Sequence, residues 1–233
     1  MLDENDRIAA LRPVISQVGI VVPGAAETVG KEDHRSRRRA KDVPAVIDAL
    51  AKWNGEQGHA LSGRLDLEHI GMSGHSFGAQ TTQALAGQGA RPRISLAEPR
   101  IDAAVMMSPS PPRGGDAAKA FAPVKIPCLL LTGTRDDSPI GDTTPAARLK
   151  VFPYLNQAAA WQVVFDGATH MDFGQSRKGT STRYHRAILA LTTAFWDAEL
   201  KDDAAAKAWL KGEKARSVLV AADRWESNAK AKE

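Results

Sequence analysis

Short apolar runs recur along the chain, most of them separated from the next by a more polar stretch with apolar residues at helical spacing. An apolar run bounded by turn residues reads as a buried strand, and a longer amphipathic stretch reads as a helix. The predicted order is helix 8–17, strand 18–22, helix 42–53, strand 68–73, helix 77–87, strand 102–107, strand 127–132, helix 144–158, strand 161–165, helix 181–199 and helix 203–212. Strands alternating with helices predict an α/β fold, with a mainly parallel sheet flanked by helices. A single domain over 1–233 is expected, its core at about 15–212 and a tail at 213–233. The end of that tail, Ala221–Glu233, is charged and Ala-rich and is expected to fray. The loop Ser108–Pro123 is rich in Pro and Gly and too short to fold as a cap domain.

The junction between strand 68–73 and helix 77–87 carries the most informative local pattern. It reads Gly74-His75-Ser76-Phe77-Gly78, of the form Gly-x-Ser-x-Gly. A serine on a sharp strand-to-helix turn is a nucleophile elbow, with its hydroxyl held above the sheet. Gly74 and Gly78 are expected to let strand and helix pass close together. The helix N-terminus beneath the serine favours developing negative charge, and Phe77 N–H is the expected oxyanion donor.

A serine nucleophile needs a base and a carboxylate that orients the base. Both residue types follow in the order this arrangement requires, Ser, Asp, His. Strand 127–132 ends in Gly133-Thr134-Arg135-Asp136-Asp137-Ser138-Pro139, and strand 161–165 ends in Asp166-Gly167-Ala168-Thr169-His170. Loops at the C-terminal ends of parallel strands share one edge of the sheet. Ser76 is therefore the candidate nucleophile, His170 the base and then acid, and Asp136 the orienting carboxylate. Asp137 is the rival acid, and the Gly-x-x-Asp spacing from Gly133 favours Asp136. Met107, Ser108 and Phe173, together with Phe77, are candidates for a substrate pocket, against a reading of plain core packing.

These segments together resemble the α/β-hydrolase superfamily. More narrowly they resemble bacterial serine hydrolases labelled predicted dienelactone hydrolases, related to platelet-activating-factor acetylhydrolases and polyester-degrading esterases. The matching stretches are 38–50, 63–78, 121–141 and 163–173, and 184–210 resembles the last helices of that family. The resemblance covers most of 15–212 and implies hydrolysis of a small-molecule or polymeric carboxylic ester. It implies an acyl-enzyme on a Ser-His-Asp triad, with no cofactor. True dienelactone hydrolases carry a cysteine nucleophile, whereas this chain has Ser76.

The family opens with several strands, one ending in a His-Gly-type loop that donates the second oxyanion amide. Here helix 8–17, strand 18–22 and helix 42–53 match the family's helix A, strand 4 and helix B. The N-terminal strands are thus expected to be missing by truncation, unless Pro23-Gly24-Ala25-Ala26 has taken over the loop's role. Losing one oxyanion donor reduces turnover on the order of 10²–10³-fold. The alternative to an esterase is therefore a truncated or non-catalytic relic with a binding role.

Composition narrows the remaining classes. Hydrophobic residues make up 43% and charged residues 25% of the 233, the balance of a water-soluble globular domain. No run approaches the roughly 20 apolar residues of a membrane span. The opening Met1–Arg12 is charged rather than secretory in character. The chain as read is expected in the cytoplasm, or in the periplasm or outside the cell if the N-terminus is truncated. The net charge of +4 and the basic run 31–39 raise nucleic-acid binding. That run is interrupted by Glu32 and Asp33 and lacks interleaved aromatics, so a solvated loop leading into a helix is expected. Cys128, the one cysteine, lies in an apolar run and reads as core. None of the remaining histidines, His34, His59, His69, His75 and His185, shows a zinc-ligand spacing. His75 is expected to pack behind the nucleophile.

Overall fold

The computed structural model describes residues 30–89, 95–112, 114–174 and 182–228. Five strands form one sheet: β1 (Ile70–His75), β2 (Ile101–Met107), β3 (Cys128–Arg135), β4 (Ala160–Thr169) and β5 (Arg224–Ser227). They lie side by side in chain order, β1 to β4 parallel and β5 antiparallel to β4. The helices are α1 (Gly30–Gly55), α2 (Phe77–Leu85), α3 (Ala117–Phe121), α4 (Pro145–Arg148), α5 (Thr182–Leu200) and α6 (Ala204–Lys211). This is a mostly parallel five-stranded α/β arrangement. None of the described helices is long and apolar enough to cross a membrane. Residues 8–17 and 18–22, where a helix and a first strand are expected, lie outside the described residues.

Side chains along a strand alternate between faces, and both faces of this sheet are covered. On one face Ala103, Val105, Leu129, Leu131, Val163 and Phe165 pack against Ala187, Leu191, Phe195 and Ala198 of α5. On the other, Ala104, Met106, Cys128, Leu130 and Ala160 meet Ala79, Phe121, Val151 and Leu155. Burying a leucine or phenylalanine stabilises by about 1.5–3 kcal/mol, which is why β3 reads as an unbroken apolar run. Burial pushes the Cys128 thiol up to about 12, so it behaves as core. α1 lies on α2 through Ala40, Ile47 and Leu85, which cluster with Ile101 of β2.

Four expectations are corrected. Residues 144–158 do not form one helix: α4 ends at Arg148 and a separate 3₁₀ turn covers Phe152–Tyr154. Pro153 has no N–H to donate, and its ring would clash with the Leu149 carbonyl in a continuous helix. Within the expected frayed segment Ala221–Glu233, the described residues 221–228 include a paired strand: β5 pairs Trp225 with Val163 and buries the indole at 8% exposure, and residues 229–233 lie outside the described residues. That strand covers the β4 edge, which would otherwise present unpaired backbone groups. The basic run 31–39 is helical in α1 rather than a loop, and α1 continues through Pro44. Within the loop Ser108–Pro123, Asp116 caps the short helix α3 by accepting from Ala118 and Lys119 N–H.

The sheet's register defines the site. Ser73, Val105, Leu129 and Trp161 form one row across the four parallel strands. β1 ends at His75, β3 at Arg135 and β4 at Thr169. Ser76, Asp136 and His170 are each the first residue beyond a strand, on the same edge of the sheet.

Candidate active site

Ser76 has φ 59° and ψ −115°, a conformation strained for any residue with a side chain. The surrounding packing enforces it. Ser76 N–H donates to the Met107 carbonyl, and the Ser76 carbonyl accepts from Gln80 N–H at the start of α2. A Cβ on Gly74 would stand 2.2 Å from the Gly78 carbonyl carbon, so only glycine fits there. Gly78 differs from expectation: a Cβ there would meet nothing within 4 Å. It is the Gly78 backbone, rather than its missing side chain, that requires Gly74.

His170 Nε2 lies 2.9 Å from Ser76 Oγ, and His170 Nδ1 lies 2.8 Å from Asp136 Oδ1. These contacts bring together residues 94 and 34 positions apart in the chain. Asp136 is fully buried and His170 is 6% exposed, while Asp137 is exposed. Thr132 donates its hydroxyl to Asp136 Oδ2 at 2.9 Å, so the second carboxylate oxygen is also held.

The His170 loop is fixed by a capping box. Thr169 N–H and hydroxyl both donate to Asp172 Oδ2, at 2.8 and 2.7 Å, and the Thr169 side chain accepts from the Asp172 backbone. Beneath it, the register between β3 and β4 slips at Gly133–Arg135. A Cβ on Gly133 would be 2.2 Å from the Ala168 carbonyl oxygen, so this glycine lets the Asp136 and His170 loops approach.

Arg148 was not anticipated from sequence. It is 1% exposed and reaches from α4 into the centre of the site. Its Nε donates to the Asp136 carbonyl at 2.7 Å and stands 3.0 Å from Asp136 Oδ1. Its Nη1 donates to the Ser108 carbonyl at 2.7 Å and to the Pro109 carbonyl at 3.2 Å. Burial lowers the proton affinity of this guanidinium, and the Asp136 carboxylate opposes that effect. Gln83 ties the same loop to α2: its Nε2 donates to the Ser110 carbonyl at 2.8 Å and its Oε1 accepts from Ser110 N–H.

His75 packs against His170 and Phe173, with ring centroids 4.5 and 6.3 Å away. Burial, and next the neighbouring His170, push its pKa down to about 4. Its Nε2 is buried with no hydrogen-bond partner among the described residues.

A cleft opens beside Ser76, lined by Ser76, Phe77, Gln80, Ser110, Ser138, Ile140 and Arg148. Of the residues proposed from sequence for a pocket, Phe77 lines this cleft; Met107, Ser108 and Phe173 do not. Phe173 packs against Phe165 and His75, Met107 lies against the core, and Ser108 is buried with its carbonyl on Arg148. No protein-family model matches this chain, and no curated protein matches it either.

Proposed function

We propose that this chain is a serine ester hydrolase of α/β-hydrolase type, acting through an acyl-enzyme. The observation that carries this reading is the direct relay from Ser76 Oγ through His170 Nε2 and Nδ1 to a buried Asp136 carboxylate. Ser76 stands on a strained turn between β1 and α2. A hydroxyl is a weak nucleophile at neutral pH, and a neutral imidazole within hydrogen-bond reach removes its proton as the new bond forms.

The steps follow from this geometry. Ser76 Oγ bonds to the ester carbonyl carbon as its proton passes to His170 Nε2. The carbonyl oxygen becomes an oxyanion at the N-terminus of α2, where Phe77 N–H is assigned as a donor. Asp136 stabilises the imidazolium. His170 then protonates the leaving alcohol, and the tetrahedral centre collapses to an acyl-enzyme. Water, deprotonated by His170, attacks the acyl carbon; His170 then returns that proton to Ser76 Oγ as the second tetrahedral centre collapses, releasing the acid and free Ser76.

Hydrolysis of p-nitrophenyl acetate and butyrate tests the reading, with Ser76→Ala alongside. Turnover lost in the variant is the expected result, together with fluorophosphonate labelling of Ser76 in the parent chain. Equal turnover in both proteins would sink the assignment. A folded parent that neither turns over nor labels would favour a non-catalytic binding role.

A further inference from the structure

We propose that Arg148 is a positioning residue of the triad, which clamps Asp136 in place so that its carboxylate, and not the guanidinium, is the partner of His170 Nδ1. The inference rests on the hydrolase reading of Ser76, Asp136 and His170.

Asp136 Oδ1 is shared. It lies 2.8 Å from His170 Nδ1 and 3.0 Å from Arg148 Nε. Arg148 Nη2 in turn lies 3.2 Å from His170 Nδ1. That nitrogen carries either a proton or a lone pair, so two arrangements compete. In one, Nδ1–H donates to Asp136 and Nε2 is free to take the Ser76 proton. In the other, Nδ1 accepts from Arg148 and Nε2 carries the proton, so the base is disabled. The carboxylate selects the first arrangement, and Arg148 holds that carboxylate through its flanking carbonyl.

The charged and titratable groups around His170 are Asp136 and Arg148 at its Nδ1 edge, His75 against its ring and Asp172 in its own turn. The bonds of Arg148 to the Ser108, Pro109 and Asp136 carbonyls fix the loops around the triad.

The test has one measurement that needs no variant and no turnover. ¹⁵N-resolved spectra of the wild-type imidazoles are expected to show His170 protonated on Nδ1 at neutral pH. Protonation on Nε2 instead, with Nδ1 facing Arg148, would overturn the proposal whether or not the chain hydrolyses esters. The second measurement compares Arg148→Gln and Arg148→Lys, with folding checked by circular dichroism. In R148Q, kcat is expected to fall at least about 10-fold with KM little changed. R148K keeps the cation but not the planar fork, so its kcat remains low. A folded R148Q with wild-type kcat would refute the role. If R148Q does not fold, R148K with wild-type kcat would refute the clamp. If Ser76→Ala leaves turnover unchanged, the hydrolase reading fails, and the spectra alone decide on Arg148.

Discussion

The rings of His75 and His170 lie 4.5 Å apart between centroids, with their planes tilted by 40°. One imidazole is hydrogen-bonded to Ser76 Oγ, and the other packs behind it. Burial first, then the adjacent His170, push the His75 pKa down from 6.5 to about 4. The sign of the consequence is fixed. Above about pH 6.5 His75 is neutral in both folded and unfolded chains and contributes no slope. As pH falls from 6.5 towards 4 the unfolded chain takes up a proton that the folded one refuses, so stability falls. Below 4 both states are protonated and the loss levels off. The loss is on the order of 1–3 kcal/mol. Denaturant unfolding at pH 7 and pH 4.5 should therefore show a smaller difference for His75→Gln than for the wild type. Equal differences would mean that His75 is not held neutral.

The two glycines of the elbow should behave oppositely. Gly74→Ala places a methyl 2.2 Å from the Gly78 carbonyl carbon, against backbone that cannot move without shifting Ser76. We expect a loss of more than about 2 kcal/mol in stability, together with loss of any Ser76-dependent turnover. Gly78→Ala meets open space in the first turn of α2. Its expected effect is neutral to stabilising by about 0.5–1 kcal/mol, since alanine is the better helix former. Thermal melts of the two variants decide the matter.

Asp136 and Asp137 are adjacent in sequence but differ in environment. Asp136 is fully buried between Thr132, Arg148 and His170, while Asp137 is exposed. Asp136→Asn removes the carboxylate 2.8 Å from His170 Nδ1, and on the proposed mechanism turnover is expected to fall about 10⁴-fold. Asp137→Asn is expected to change stability by less than about 0.5 kcal/mol and turnover little. Initial rates on one activated ester compare the two directly, and the opposite ranking would place the orienting acid at Asp137.

The order Ser76, Asp136, His170 was readable because each residue lies a few positions beyond an apolar run, and such runs are the strongest local signal in a buried parallel sheet. The preference for Asp136 over Asp137 came from loop spacing, and burial now separates them. Arg148 was not readable. Its partners lie 12 positions away at Asp136 and 40 away at Ser108, and a bond of that separation leaves no periodic trace. Within 144–158 it looked like one polar residue on an amphipathic helix. β5 was obscured for a related reason: one tryptophan among charged residues gives little alternation, and the strand exists because β4 offers it an edge. The Thr169–Asp172 capping box could have been found, since Thr-x-x-Asp is a local pattern with a known geometry.

That capping box carries the last prediction. Asp172 accepts both the N–H and the hydroxyl of Thr169, so it closes the turn that begins with His170. Asp172→Ala removes both bonds and leaves Thr169 N–H unsatisfied in a partly buried site, a loss of about 1–2 kcal/mol. A less constrained His170 spends less time within reach of Ser76 Oγ, so kcat should fall about 10-fold while KM stays the same. Asp172→Asn keeps an acceptor oxygen at the same place and should recover most of both losses. Melting temperature and kcat measured across the pair separate the cap from the charge. Failure of asparagine to rescue would mean that the Asp172 charge, not its geometry, supports His170.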